Sequence, residues 1–303
     1  MKRSFMQGPP YQRFSEFIAP DADRLNILLS LLDELELSST AVNIAGNCHL
    51  FVVGHTPGVV PENNSRSAPR QTQVTLIAHY DRAKGSPGAN DNSAAVFQLL
   101  ETAVRLREKG VDGWRIIFTD KEELTRGESV QNQGAYTLAK ALREAGRGEG
   151  RFFIFDACGV GDTLIISTIT DHVIKSEEGL IIAHIRREAK ELRNRALETA
   201  RRLAMDKVLL APIPFSDDLG FFRAGITAQT ITVLPSKEAA ALAANLHKEG
   251  FADTLISREA QRPSLASLVP ETWRSLNGPE DRPGRLTPQH YKMVIRFACA
   301  LCT

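Results

Sequence analysis

From residue 49 to residue 234 short apolar runs alternate with stretches of helical spacing, and few architectures accept that order. The runs at 49–53, 74–78, 115–119, 152–156, 163–167 and 228–234 read as strands. Between or beside them, helices are expected at 21–36, 93–109, 131–146, 179–204 and 237–248. The first of these carries Leu25, Leu28, Leu29 and Leu32 on one face, with Asp21 or Asp23 as its cap. Successive parallel strands need long crossovers, which helices supply. The pattern therefore predicts an α/β fold with three layers, α/β/α, around a mostly parallel central sheet covered on both faces. In such sheets sites form at the carboxyl ends of the strands.

With 303 residues the chain reads as one domain over 1–303. Segment 236–276 lacks a strand pattern, carries the alanine-rich helix at 237–248 and runs into a Pro/Ser-rich stretch. It is expected to be an inserted, lid-like segment. A loop rich in Pro, Asn, Ser and Arg is expected at 55–70.

Charge excludes some partners. The 37 basic residues nearly cancel the 36 acidic ones, leaving +1, so neither nucleic acid nor an anionic membrane surface is implied. The arginines of 186–202 are interleaved with glutamates at helical spacing and read as a solvated helix face. No run approaches the roughly 18 apolar residues of a membrane span, and the start lacks a signal-like apolar segment. A cytoplasmic protein is expected. Four scattered cysteines give no disulfide framework, and Cys299 and Cys302 fall on an apolar C-terminal helix pattern as core residues.

The chemistry lies where acids and one histidine follow the strands. His79 and Asp81 come directly after 74–78, and Asp91 closes the Gly/Pro/Asn loop that follows. Glu122 and Glu123 come after 115–119, and Asp156 ends 152–156. Taken singly, His79 is an ordinary hydrogen-bonding residue, Asp91 a helix cap and the glutamates a solvated first turn. Together, carboxylates gathered at one sheet edge repel one another, and a divalent cation is the simplest compensation. Nitrogen and oxygen ligands without thiolate suit zinc and permit manganese or cobalt.

Four segments then resemble a known family. The first is His79-Tyr80-Asp81 followed by Ser86-Pro87-Gly88-Ala89-Asn90-Asp91-Asn92-Ser93. The others are Phe118-Thr119-Asp120-Lys121-Glu122-Glu123, Phe155-Asp156-Ala157-Cys158-Gly159 and Ser216-Asp217-Asp218-Leu219-Gly220-Phe221 through Ile226. In this order, over about 74–282, they resemble the motifs of co-catalytic di-zinc aminopeptidases, relatives of glutamate carboxypeptidase and glutaminyl cyclase. The resemblance implies the zinc-exopeptidase (phosphorylase/hydrolase-like) architecture, with one or two zinc ions. It also implies that Asp91 bridges two metals, with His79 and Asp156 on one and Glu123 on the other. Glu122 is then the general base, Asp81 holds the His79 ring, and Asp91–Asn92 is a cis peptide.

One departure matters. Where the family places its last histidine ligand, this chain has Asn277, in Leu276-Asn277-Gly278-Pro279-Glu280-Asp281. An amide oxygen binds zinc more weakly than an imidazole, so the metal on Glu123 and Asn277 is expected to be weak or missing. His247 and His290 are the remaining candidates to replace it.

The expected function is a metal-dependent exopeptidase of the aminopeptidase type, acting on a peptide or aminoacyl small molecule. The alternatives are a non-catalytic metal- or ligand-binding member of the fold and a glutaminyl-cyclase-like acyltransferase. The last would keep its zinc on the side where Asn277 stands. Asp217 and Asp218 either recognise a substrate amine or cap a helix. Cys158 and Trp273 read as packing residues. Side-chain preference and oligomeric state are left open.

Overall fold

A computed structural model describes residues 9–54, 73–125, 127–173, 180–214, 216–248, 250, 251, 255 and 268–303. Its strands are β1 (Ser39–Ile44), β2 (Asn47–Val53), β3 (Val74–His79), β4 (Trp114–Thr119), β5 (Arg151–Phe155), β6 (Thr163–Ser167), β7 (Val208–Ala211) and β8 (Ala228–Leu234). They join in one sheet in the order β1-β2-β4-β3-β5-β8-β6-β7. The central four, β4, β3, β5 and β8, run parallel, while β1, β2 and β6 pair antiparallel to their inner neighbours. The expected mostly parallel α/β sheet is the one observed.

Helices cover both faces because the strands are apolar on both. Leu76, Ile116, Phe153 and Phe155 face one way. There they meet helices α1 (Pro9–Phe17), α2 (Arg24–Glu34), α3 (Ala95–Glu108), α6 (Leu180–Arg202), which follows the short α5 (Ile169–Val173), and the C-terminal helix Tyr291–Leu301. Ile77, Ile117, Phe152 and Ile154 alternate with them and face α4 (Gly134–Glu144) and α7 (Asp217–Arg223). This period of two, with every residue of β3, β4 and β8 buried, is how a sheet covered on both sides reads. Asp23 is the cap of α2, accepting from the Asn26 amide at 3.1 Å. No helix among the described residues is long and apolar enough to cross a membrane.

Two short strands went unread in the sequence. β1 is an edge strand with an interrupted exposure pattern, and β7 carries the exposed Leu210. Neither buries enough to impose alternation on its residues. Of segment 236–276, helix α8 (Ser236–Asn245) and the turn Glu271–Arg274 are described, and Ala239, Leu242, Val269 and Trp273 share one buried cluster with Ile165 and Leu234. Residues 249, 252–254 and 256–267 of that segment lie outside the described residues, as does the loop expected at 55–70.

His49 on β2 is fully buried, with Nδ1 accepting from the Asp120 amide at 3.4 Å and Nε2 without a partner. Burial pushes its pKa down from 6.5 to about 4. Between those values the unfolded chain binds a proton that the folded chain refuses, so stability rises with pH across the window and its loss is complete below about pH 4. Asparagine at 49 keeps the acceptor and removes the titration. Denaturant unfolding at several pH values should show the wild type losing about 3 kcal/mol more than His49→Asn between neutral pH and pH 4. Equal losses in the two proteins would exclude this role for His49.

Candidate metal centre

Because β4, β3 and β5 lie side by side and parallel, the segments leaving them emerge at one end of the sheet. His79 is the last residue of β3, Asp156 directly follows β5, and Glu122 and Glu123 follow β4 after a turn in which Lys121 has φ 56°. Asp81 ties two of these exits together. Its oxygens accept the backbone N–H groups of Glu122 and Glu123, both at 3.1 Å, and Oδ1 lies 3.3 Å from His79 Nδ1.

Asp91 arrives on the loop between β3 and α3, and that loop is fastened at several points. Asn92 donates to the Phe155 carbonyl and accepts from the Ala157 amide, while Asn90 accepts from the Gly159 amide. The Asp91–Asn92 peptide is cis, as the resemblance implied. Gly88, at φ 61°, is needed here because a Cβ would stand 2.7 Å from the Asp91 carbonyl oxygen.

Among the described residues, ligand atoms of His79, Asp91 and Asp156 lie within 4.8 Å of one another. His79 Nε2 is 3.0 Å from Asp91 Oδ1 and 3.8 Å from Asp156 Oδ1, yet neither ring nitrogen makes a hydrogen bond. Burial alone would lower the pKa of this imidazole. The contacts with Asp156, Asp81 and Asp91 outweigh it and hold the ring well above its ordinary value. Burial and then the charge of Asp156 raise the Asp91 carboxyl. Burial, helped by Glu123, Asp217 and Asp156, likewise holds Glu122 well above the carboxylate range. The pocket is thus short of positive charge, and a buried imidazole with a free nitrogen beside two carboxylates is a donor set that fits zinc.

Glu122 and Glu123 have different neighbours. Gln133, itself buried, donates to Glu122 Oε1 at 3.1 Å. Glu123 faces Asn277. The end of the Asn277 amide lies 2.6 Å from Glu123 Oε1, 3.1 Å from Glu123 Oε2 and 3.1 Å from Asp91 Oδ2, where its oxygen would meet a metal and its nitrogen would donate to the carboxylates. Burial and the charge of Asp91 push Glu123 up to about 9. His247 is exposed and His290 half-buried, and neither joins the group of converging ligands among the described residues. Asp217 and Asp218 open α7 and are buried, accepting from Thr119 and Thr230, each at 2.7 Å. Burial raises them to about 7 and about 6. Cys158 packs in the core with its thiol toward the Ile231 carbonyl.

Three residues that hold the centre were not read from the sequence. Gln133 is one. Asp281 is the second: its carboxylate accepts the Asn90 and Asp91 amides at 2.7 and 3.0 Å, and its carbonyl accepts the Ala89 amide. Arg24 is the third. Buried at 6% exposure, it donates to the carbonyls of Phe17, Tyr80, Asp81, Pro87 and Gly88 and so pins both ends of the 80–88 loop. An arginine opening a leucine-rich helix was the available signal, but nothing local tells that it faces inward. Methionine at 24 keeps the apolar stem and strands those carbonyls, so urea unfolding should show a loss of about 3 kcal/mol. A loss below about 1 kcal/mol would mean that water satisfies them.

Solved structures share this arrangement of elements. A zinc aminopeptidase from Bacillus subtilis is 17% identical, with a TM-score of 0.51 over 84% of this chain and 49% of that one. The chain thus spans about half of its length. The LapA aminopeptidase of Legionella pneumophila is 14% identical, with a TM-score of 0.60 over 96% of this chain and 69% of that one. A glutaminyl cyclase from Porphyromonas gingivalis is 16% identical, with a TM-score of 0.58 over 96% of this chain and 94% of that one. At such identities the likeness is one of fold. Comparison with curated protein sequences gives no match. The sequence profile of peptidase family M28, however, matches residues 59–254, more than half of the chain, and the protein belongs to that family.

Proposed function

We propose that the chain is a metal-dependent exopeptidase of the aminopeptidase type, with His79, Asp91 and Asp156 holding the ion and Glu122 as general base. The observation that carries this reading is the buried His79 Nε2, which has no hydrogen bond and faces two carboxylates from neighbouring chain segments. Zinc suits that donor set, and manganese or cobalt would be accepted by it. When bound, a divalent ion there supplies Lewis acidity and lowers the pKa of water.

The residues of the chain do the rest. Asp81 holds the His79 ring from the Nδ1 side and, through the amides of Glu122 and Glu123, fixes where the paired glutamates leave β4. Gln133 engages Oε1 of Glu122 and leaves Oε2 to take a proton from the attacking water and return it to the departing amine. The substrate is a peptide or an aminoacyl small molecule. Aminoacyl-nitroanilides offered with zinc, manganese or cobalt should be hydrolysed; no turnover with any of the three metals would overturn the assignment.

A non-catalytic metal-binding role is the second reading, favoured by the asparagine against Glu123. It predicts metal uptake with no turnover in that assay. The same contact counts against a glutaminyl-cyclase-like reaction on the Glu123 side. Cyclisation of a glutaminyl peptide without hydrolysis would restore that reaction.

A further inference from the structure

We propose that the chain carries a second ligand site, remote from the metal centre: a groove that binds a small organic carboxylate, with Arg115 at its floor and Arg147 at its rim. The site does not depend on the metal reading. Gln73, Gly113 and Gly150 line the groove, and they directly precede the parallel strands β3, β4 and β5. It therefore opens at the amino ends of these strands, whereas His79, Glu122, Glu123 and Asp156 stand at their carboxyl ends. Its volume of about 1140 Å³ is enough for a small organic molecule. Phe51, Val53 and Leu142 give it an apolar wall.

The observation that carries this reading is a buried cation without a counter-ion. Arginine is almost never buried unless it is paired. Arg115 is only 6% exposed, and among the described residues no carboxylate forms an ion pair with it. Its Nε and Nη2 both donate to the Thr75 hydroxyl, at 3.2 and 2.9 Å, and Nη1 has no partner among the described residues. The guanidinium carbon stands 5.9 Å from the ring centres of Phe51 and Phe152, whose faces supply a little negative potential. Burial, and then the like charge of Arg147, push the pKa of Arg115 down to about 10. Glu149 is the acid of the lining, and among the described residues it forms an ion pair with neither arginine. A carboxylate is the counter-charge that fits, because a guanidinium engages both of its oxygens in one plane. A flat apolar body behind that carboxylate would rest against Phe51 and Leu142.

The test is calorimetric titration of the zinc-loaded protein with benzoate, and with benzamide as its neutral counterpart. Benzoate should bind the wild type at one saturable site, more weakly as salt is added, and benzamide should not bind. Arg115→Met, which keeps an apolar stem in place, should weaken benzoate by about tenfold or more. Arg147→Ala, a change at an exposed position, should weaken it by roughly two- to fivefold. Full affinity in Arg115→Met, as binding at the metal centre would give, or equal affinity for benzamide would overturn the inference. Residues 55–72, which join β2 to Gln73 at the edge of the groove, lie outside the described residues, and their one acid is Glu62. Benzoate binding to Glu62→Gln but not to the wild type would mean that the chain supplies its own counter-ion, and binding to neither would mean that the groove takes no carboxylate; both results sink the proposal. Should Arg115→Met fail to fold, an unchanged affinity in Arg147→Ala would overturn it instead.

Discussion

With Glu122 as the proposed general base, glutamine in its place is expected to lower hydrolysis of an aminoacyl-nitroanilide by about 10²–10⁴-fold, the usual contribution of such a group. The substitution is close to isosteric. Its Oε1 still accepts from Gln133 Nε2, and the backbone amide still donates to Asp81, so position is kept and only proton uptake is lost. The loss should fall on kcat, with zinc content equal to that of the wild type. A variant that keeps more than about a third of the rate would show that another group takes the proton. Asp217, buried nearby, would then be the next residue to replace.

The second large effect is on heat stability. An ion bound at a hundredfold excess over its dissociation constant stabilises the folded state by about 2.7 kcal/mol. For a chain of this size that amounts to a rise in Tm of roughly 4–5 °C over the metal-stripped protein. Asp156→Asn should abolish most of this rise. In the stripped protein two effects of the substitution oppose each other, relief of repulsion with Asp91 and loss of the contact with the His79 ring, so the zinc-induced rise and not the stripped melting point is the readout. An unchanged zinc response would remove Asp156 from the ligand set.

How much of this was legible in the sequence depends on how local each cause is. β3, β4, β5, β6 and β8 were readable because burial on both faces demands continuous apolar runs, and their observed limits fall within two residues of those expected. The rule that neighbouring parallel strands end on the same side gathers His79, Asp91, Glu122, Glu123 and Asp156 at one sheet edge, and the family resemblance singles out His79, Asp91 and Asp156 as one ligand set. The contacts that hold the centre were not legible, because they cross long stretches of chain. Arg24 reaches residues 80–88, and Asp281 reaches back to residues 89–91. Asn277 is legible as a departure from a motif, but its closeness to Glu123 and Asp91 depends on the fold of distant segments.

Asp281 and Arg24 carry a consequence for anyone who would isolate the centre. Cutting the polypeptide to the stretch matched by the family profile, 59–254, would keep His79, Asp91, Glu122, Glu123 and Asp156. It would discard the guanidinium that staples the 80–88 loop, the aspartate that clasps the Asp91 amide, the antiparallel strand β2 beside β4 and β1 beyond it. Such a fragment would retain those five side chains and still be unable to present them. The centre is not a portable cassette but the place where both ends of the polypeptide fold back on its middle.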